Sequence, residues 1–110
     1  KNAFTRVHKG KLRRESGVLL VYAMPNDLAF SRIGLAVNRR VGNAIRRNQI
    51  KRRIREAFRL HRHEWPQGYD WMVVVRPHHP QSIESYALVL SHITRRLDDA
   101  CHRKTEPDQA

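Results

Sequence analysis

The 110-residue chain contains a single cysteine, Cys101, so no internal disulfide can form. That scarcity fits a reducing compartment, and a cytoplasmic location is the expectation. Acids are scarce too. Ten Asp and Glu face 22 Lys and Arg, a formal net charge of +12 with His neutral. A surplus of this size opposes compaction by self-repulsion and points to a polyanionic partner, nucleic acid ahead of an acidic membrane. No apolar run approaches the roughly 20 residues of a membrane-spanning helix, which argues against a transmembrane protein. No signal-peptide pattern is present, and because position 1 is Lys the native start is expected to lie upstream. No low-complexity linker and no internal repeat divides the chain. Apolar residues make up 40%, which excludes a disordered basic tail. One domain with a modest core follows from this length. It is expected over residues 1–101, with a polar, frayed tail over 102–110.

Phe4 and Val7 stand at helical spacing among basic neighbours, and Gly10 follows them, which predicts a short N-terminal helix. Residues 11–16 are polar, either a short strand or an irregular passage. Residues 18–24 are β-rich and bounded by Gly17 and Pro25, a strand. Pro25, Asn26 and Asp27 supply turn chemistry. In a second strand over 31–37, Ile33, Leu35 and Val37 alternate with Gly34 and Ala36, and the two strands are expected to pair as an antiparallel hairpin. Gly42 and Asn43 open a long helix that Pro66 and Gly68 end. Residues 71–75 form a continuous apolar run, the pattern of a central strand covered on both faces. From Ser82, an N-cap with Ser85 at the third helical position, a last helix carries Ile83, Ala87, Leu90, Ile93 and Leu97 as its apolar stripe. Such a mixture predicts an α+β two-layer sandwich, a small mainly antiparallel sheet with helices packed mainly on one face.

The most informative segment is residues 39–62, with ten Arg or Lys and one acid, Glu56. At about 100° per residue, Ile50, Ile54, Ala57 and Phe58 share one side of the helix. Asn48, Lys51, Arg52, Arg55, Arg59 and Arg62 share the other. One face packs on the sheet while the other presents an electropositive ridge. An ordinary exposed face mixes signs and gains a little from i,i+4 pairs, whereas these neighbours repel one another. Phosphates that neutralise them explain the ridge better than solvent does. Arginine predominates, and its planar fork suits bidentate phosphate contact.

An autonomous nuclease needs a nucleophile with a base, or a cluster of metal-binding carboxylates. The acids here are scattered. Only Asp98 and Asp99 are adjacent, and they are expected to face solvent near the end of the last helix. His61 and His63 fall on different helix faces, and His78 and His79 lie in a proline-bounded loop without partner cysteines, so no zinc spacing exists. No catalytic residue and no protein-held metal is expected, the histidines read as surface or RNA-contacting groups, and Cys101 as incidental. Composition leaves two alternatives open, a structural RNA-binding protein and a DNA-binding domain reading bases with Asn48 and Gln49.

The run from Arg40 to Arg59 includes Gly42-Asn43-Ala44, Arg47-Asn48, Lys51-Arg52 and Arg55-Glu56. It closely resembles the signature of the bacterial ribonuclease P protein subunit. The likeness extends to Phe4 and Val7, to residues 32–37 and to residues 70–76, about nine-tenths of the chain. Many members have Arg at the position of Gln49, so that part of the contact is expected to be weaker. The resemblance implies an α-β sandwich with a left-handed βαβ crossover through the basic helix, a hand that pattern reading alone would not suggest. It also implies an accessory protein of a ribonucleoprotein endoribonuclease. A catalytic RNA holds magnesium and cleaves precursor tRNA to release the 5′ leader. Carried over by position, Arg46, Arg47, Asn48, Lys51, Arg52, Arg55 and Arg59 would bind the catalytic RNA. Phe4, His8, Tyr22, Arg39 and Arg40 would line the groove for the single-stranded leader, His8 standing where a second aromatic is usual. Taken by themselves, Phe4 and Tyr22 fit core packing, the commoner fate of aromatics on a strand or helix, better than a groove. The implied partners are the catalytic RNA and precursor tRNA, with no membrane and no obligatory protein partner.

Overall fold

A computed structural model of the chain describes residues 12–104. The helix expected over 2–9, with Phe4 and His8, lies outside the described residues. Four strands, β1 (Arg13–Ser16), β2 (Leu19–Pro25), β3 (Arg32–Val37) and β4 (Tyr69–Val75), accompany two long helices, α1 (Ala44–His61) and α2 (Ile83–Lys104). The polar passage before Gly17 is therefore a strand. It turns into β2 at Gly17, whose φ of 58° is the left-handed conformation that glycine adopts without a steric cost.

The sheet order is β1-β2-β4-β3. β2 pairs antiparallel with both β1 and β4, and β3 runs parallel to β4. The expected hairpin of β2 with β3 does not form, because β4 lies between them. Alternation identifies a strand and its buried face but not its neighbour. The connection between β2 and β3 is also unlike a tight two-residue hairpin turn. Asn26 braces it, accepting from Leu28 N at 2.8 Å and donating to Phe30 O at 3.1 Å, while Asp27 takes a positive φ of 59°. β4 is central, as its apolar run predicts. Yet only Tyr69, Trp71, Val73 and Val75 are fully buried, and Asp70, Met72 and Val74 between them are half-buried.

Both helices pack on one sheet face. Leu19, Val21 and Ala23 of β2 and Trp71, Val73 and Val75 of β4 meet Ile50, Ile54 and Phe58 of α1 and Tyr86, Leu90, Ile93 and Leu97 of α2. Truncating such a side chain to Ala costs about 2–5 kcal/mol. Ser82 caps α2, its Oγ accepting from Ser85 N at 3.0 Å. α2 then runs to Lys104, past the boundary expected at Cys101. Among the described residues no helix is long and apolar enough to cross a membrane.

Three polar expectations change. Asp98 does not simply face solvent: the Tyr69 hydroxyl donates to its Oδ1 at 2.6 Å, and burial, aided by this bond, pushes the Tyr69 hydroxyl above the ordinary phenol range. Cys101 is half-buried against the core rather than incidental. His78 lies 2.7 Å from the hydroxyl of the fully buried Tyr86, so it belongs to the packing of the loop before α2.

Candidate nucleic-acid interface

The approach to α1 is built from side chains of the signature segment. Asn38 Oδ1 accepts from Arg40 N at 2.9 Å and starts a single 3-10 turn, Arg39–Val41. Gly42 follows with φ 151°, in the range favoured by glycine. Asn43 then caps α1, its Oδ1 accepting from Arg46 N at 2.9 Å. A cap of this kind contributes about 1 kcal/mol. Arg47 Nε donates back to Gly42 O at 3.2 Å. Gly42 and Asn43 thus act structurally, by aiming the helix and placing Arg39, Arg40, Arg46 and Arg47 together at its start.

Ile50, Ile54, Ala57 and Phe58 hold α1 against the sheet. Asn48, Arg52, Arg55 and Arg59 are exposed on its outer side, with Lys51 partly so. The ridge is not uniformly unpaired. Arg59 Nη2 meets Glu56 Oε2 at 2.5 Å, and that hydrogen bond holds the Glu56 carboxyl below the usual carboxylate range. Lys51, Arg52 and Arg55 have no acidic partner among the described residues. Arg53 differs from them: its Nη1 donates to Gln81 O at 2.9 Å, tying α1 to the loop before α2. Ile45 stands 79% exposed among these cations. It lies about 140° from Ile50 on the helical wheel, away from the packed face, a position that the apolar stripe of α1 does not include.

The sheet face away from the helices presents a second arrangement. β-Pairing aligns Arg13, Tyr22, Met72 and Gly34 in one row across all four strands. Tyr22 is buried, yet it stands apart from the core cluster that the helices cover. Arg39 and Arg40 are exposed where β3 passes into α1. The described residues therefore separate the predicted site residues in two, a helix ridge and an outer sheet face. Near the far end of that face Arg32 Nε and Nη2 grip Asp70 Oδ1 and Oδ2, both at 2.8 Å. The Arg32 hydrogen bond holds the Asp70 carboxyl below its ordinary range, with Asn26 helping. Among the described residues no three His, Cys, Asp or Glu side chains are grouped to hold a metal ion.

A family model described as Ribonuclease P matches residues 1–100. The chain belongs to the ribonuclease P protein family. It is 33% identical over 73 residues to the ribonuclease P protein component of Alkaliphilus oremlandii, a match spanning 66% of this chain and 64% of that relative's length. With the component from Desulfovibrio desulfuricans it shares 35% identity over 92 residues, 82% of this chain and 71% of the other. The solved RNase P protein from Thermotoga maritima, in complex with 1-(4-fluorophenyl)-2-thiourea, superposes with a TM-score of 0.76 at 28% identity. That likeness covers 84% of this chain and 92% of the other. In this ribonuclease P protein, then, the signature serves two ends: Gly42 and Asn43 aim α1, and the residues after them supply its exposed polar face.

Proposed function

We propose that this ribonuclease P protein is the subunit that binds the catalytic RNA and the 5′ leader of precursor tRNA, assisting magnesium-dependent endonucleolytic removal of the leader. The observation that carries this reading is the cationic set Lys51, Arg52 and Arg55, without an acidic partner among the described residues, on the outer side of a helix bearing the family's signature. Together with Arg46, Arg47, Asn48 and Arg59 they neutralise phosphates of the catalytic RNA, each contact releasing counterions. Tyr22, with Arg39, Arg40, Phe4 and His8, receives the leader. Aromatic stacking stabilises single-stranded RNA by about 1–3 kcal/mol per base with little sequence preference, which suits leaders of varied sequence.

The reading leaves magnesium with the catalytic RNA, as membership of the family implies. There it would activate the attacking water and stabilise charge on the scissile phosphate. The protein's own part is electrostatic and positional: it screens phosphates that would otherwise repel and holds the leader beside the cleavage site. RNA partners suffice for this role, in the cytoplasm, with no obligatory protein partner.

Reconstitution tests the reading. The purified chain, mixed with a bacterial ribonuclease P RNA at limiting magnesium, should stimulate 5′ cleavage of precursor tRNA. By itself it should cleave nothing. Cleavage by the RNA-free protein, or no stimulation of the RNA, would contradict the proposal.

A further inference from the structure

On the helix side of the sheet, where the last turns of α2 meet the loop leading into β4, lies a cavity of about 500 Å³. No residue of the α1 ridge lines it. Pro25 and Pro66 give it apolar walls, and Gln67, Tyr69, Asp98 and His102 bring polar groups. That volume and that mixture suit a small-ligand site. The polar groups have mostly spent their donors. The Tyr69 hydroxyl donates to Asp98 Oδ1 at 2.6 Å. Gln67 Nε2 donates to Arg62 O at 2.6 Å and to Trp65 O at 2.9 Å, so the group Gln67 still has to offer is its carbonyl oxygen. A carboxylate is acceptor-only, with room for about four hydrogen bonds. Tyr69 takes one at Asp98, and His102 Nδ1 approaches to 3.5 Å. Glu15, Glu56 and Asp70 each hold an arginine. Asp98 has no Arg or Lys partner among the described residues, in a chain with 22 of them. The cavity offers acceptors and calls for donors.

A free ammonium or guanidinium group would supply donors, but a net charge of +12 opposes its approach. The same field draws phosphates in. A neutral donor edge attached to a phosphate meets both conditions, and that is the chemistry of a nucleotide base. Guanine sets two donors side by side on its Watson–Crick edge, N1–H and the N2 amino group, a match for two carboxylate oxygens. Adenine and cytosine place a ring acceptor beside their amino group, and uracil flanks N3–H with carbonyls, so each turns an acceptor toward a carboxylate. We infer that this cavity is a guanine-binding pocket in which Asp98 accepts from N1–H and N2–H of the base. Tyr69 is a positioning residue: only 5% exposed, with its ring stacked on Trp71 at 4.6 Å, it gives the carboxylate a fixed seat. Pro25 and Pro66 offer apolar surface to the faces of the ring, and Gln67 a further acceptor. The guanine belongs to a free nucleotide or to an unpaired stretch of RNA. The pocket stands apart from the catalytic-RNA and leader assignments and does not depend on them.

The test measures binding of GMP, IMP and AMP to the full chain by NMR titration. All three carry one phosphate, so attraction to the basic surface is common to them. GMP should bind at least about fivefold more tightly than AMP, the low end of what a bidentate base contact discriminates. IMP, which lacks the N2 amino group, should fall between them. The amide signals of Gly68 and Cys101, which also line the cavity, should move with GMP. Asp98→Asn should bring the three affinities within about twofold of one another. Its amide oxygen can still accept from Tyr69, so thermal unfolding should stay near that of the wild type. Asp99→Asn, at an exposed neighbour, should keep the preference. Short unstructured RNAs with a single guanine or with none identify the source. A preference carried into RNA assigns the pocket to a base within a strand, and one confined to the mononucleotides assigns it to a free nucleotide. Equal affinities of the wild type for GMP, IMP and AMP would overturn the pocket, whether or not the variant folds. So would a preference that persists in folded Asp98→Asn, or signal changes confined to α1.

Discussion

A β-carbon on Gly42 would stand 2.6 Å from Cδ of Arg46, one helical turn further along the ribonuclease P signature. The glycine therefore meets two demands at once, a φ of 151° and room for the arginine that its neighbour Asn43 caps.

Gly42→Ala should destabilise the fold by about 1–3 kcal/mol, through backbone strain added to the close approach. Gly34→Ala is the comparison. Its β-carbon would meet the mobile end of Met72 at 2.9 Å without a positive φ, and a thioether can move aside. Thermal unfolding should show a clear fall in Tm for the first variant and a small one for the second. Equal falls would mean that the α1 approach is not strained in this way.

Arg52 and Arg53 are neighbours in sequence with different work. Arg53→Ala should cost about 1–2 kcal/mol in urea unfolding, since it leaves Gln81 O without its donor. Its salt dependence of RNA binding should be that of the wild type. Arg52→Ala should leave stability within about 0.5 kcal/mol and lower the salt slope by roughly 0.7–0.9. The opposite pairing of effects would reverse these roles.

Acid stability should depend on Asp70. Its folded carboxyl sits below the ordinary range, chiefly through the Arg32 hydrogen bond, so the folded state binds the proton less tightly than the unfolded chain. The stability it contributes is present above the unfolded value of about 4, and is lost as pH falls through the folded one. Asp70→Asn should be less stable than wild type at neutral pH, and the gap should close as pH drops below about 4. Urea titrations across that window check the sign; a gap that widened toward acid would contradict it.

The elements of this protein were legible where one face of the periodicity is buried. Ile50, Ile54, Ala57 and Phe58 sort α1 correctly because three to four residues return a side chain to the same face. Ser82 shows the start of α2 through its cap. Pairing was less legible. Ile33, Leu35 and Val37 mark β3 as a strand, but nothing local tells that β4, more than thirty residues later, takes the place beside β2. For the interface, charge spacing isolated Lys51, Arg52 and Arg55, since all three share one helix face. It gave no sign that Arg14 on a short edge strand carries a buried donor without a partner among the described residues, nor that Asp98 receives the Tyr69 hydroxyl. Those depend on contacts between strands and helices far apart in sequence.

The central claim is that the exposed cations of α1 meet phosphates of the catalytic RNA. Its most direct test is the salt dependence of RNA binding by the Lys51→Ala/Arg52→Ala/Arg55→Ala variant, with far-UV circular dichroism to verify folding. If each residue neutralises one phosphate, the slope of log K against log salt should fall by about two to three units. The spectrum should remain that of the wild type, because these side chains point away from Ile50 and Ile54. An unchanged slope with an intact fold would mean that these cations face only solvent, and the assignment of α1 to the RNA would be wrong.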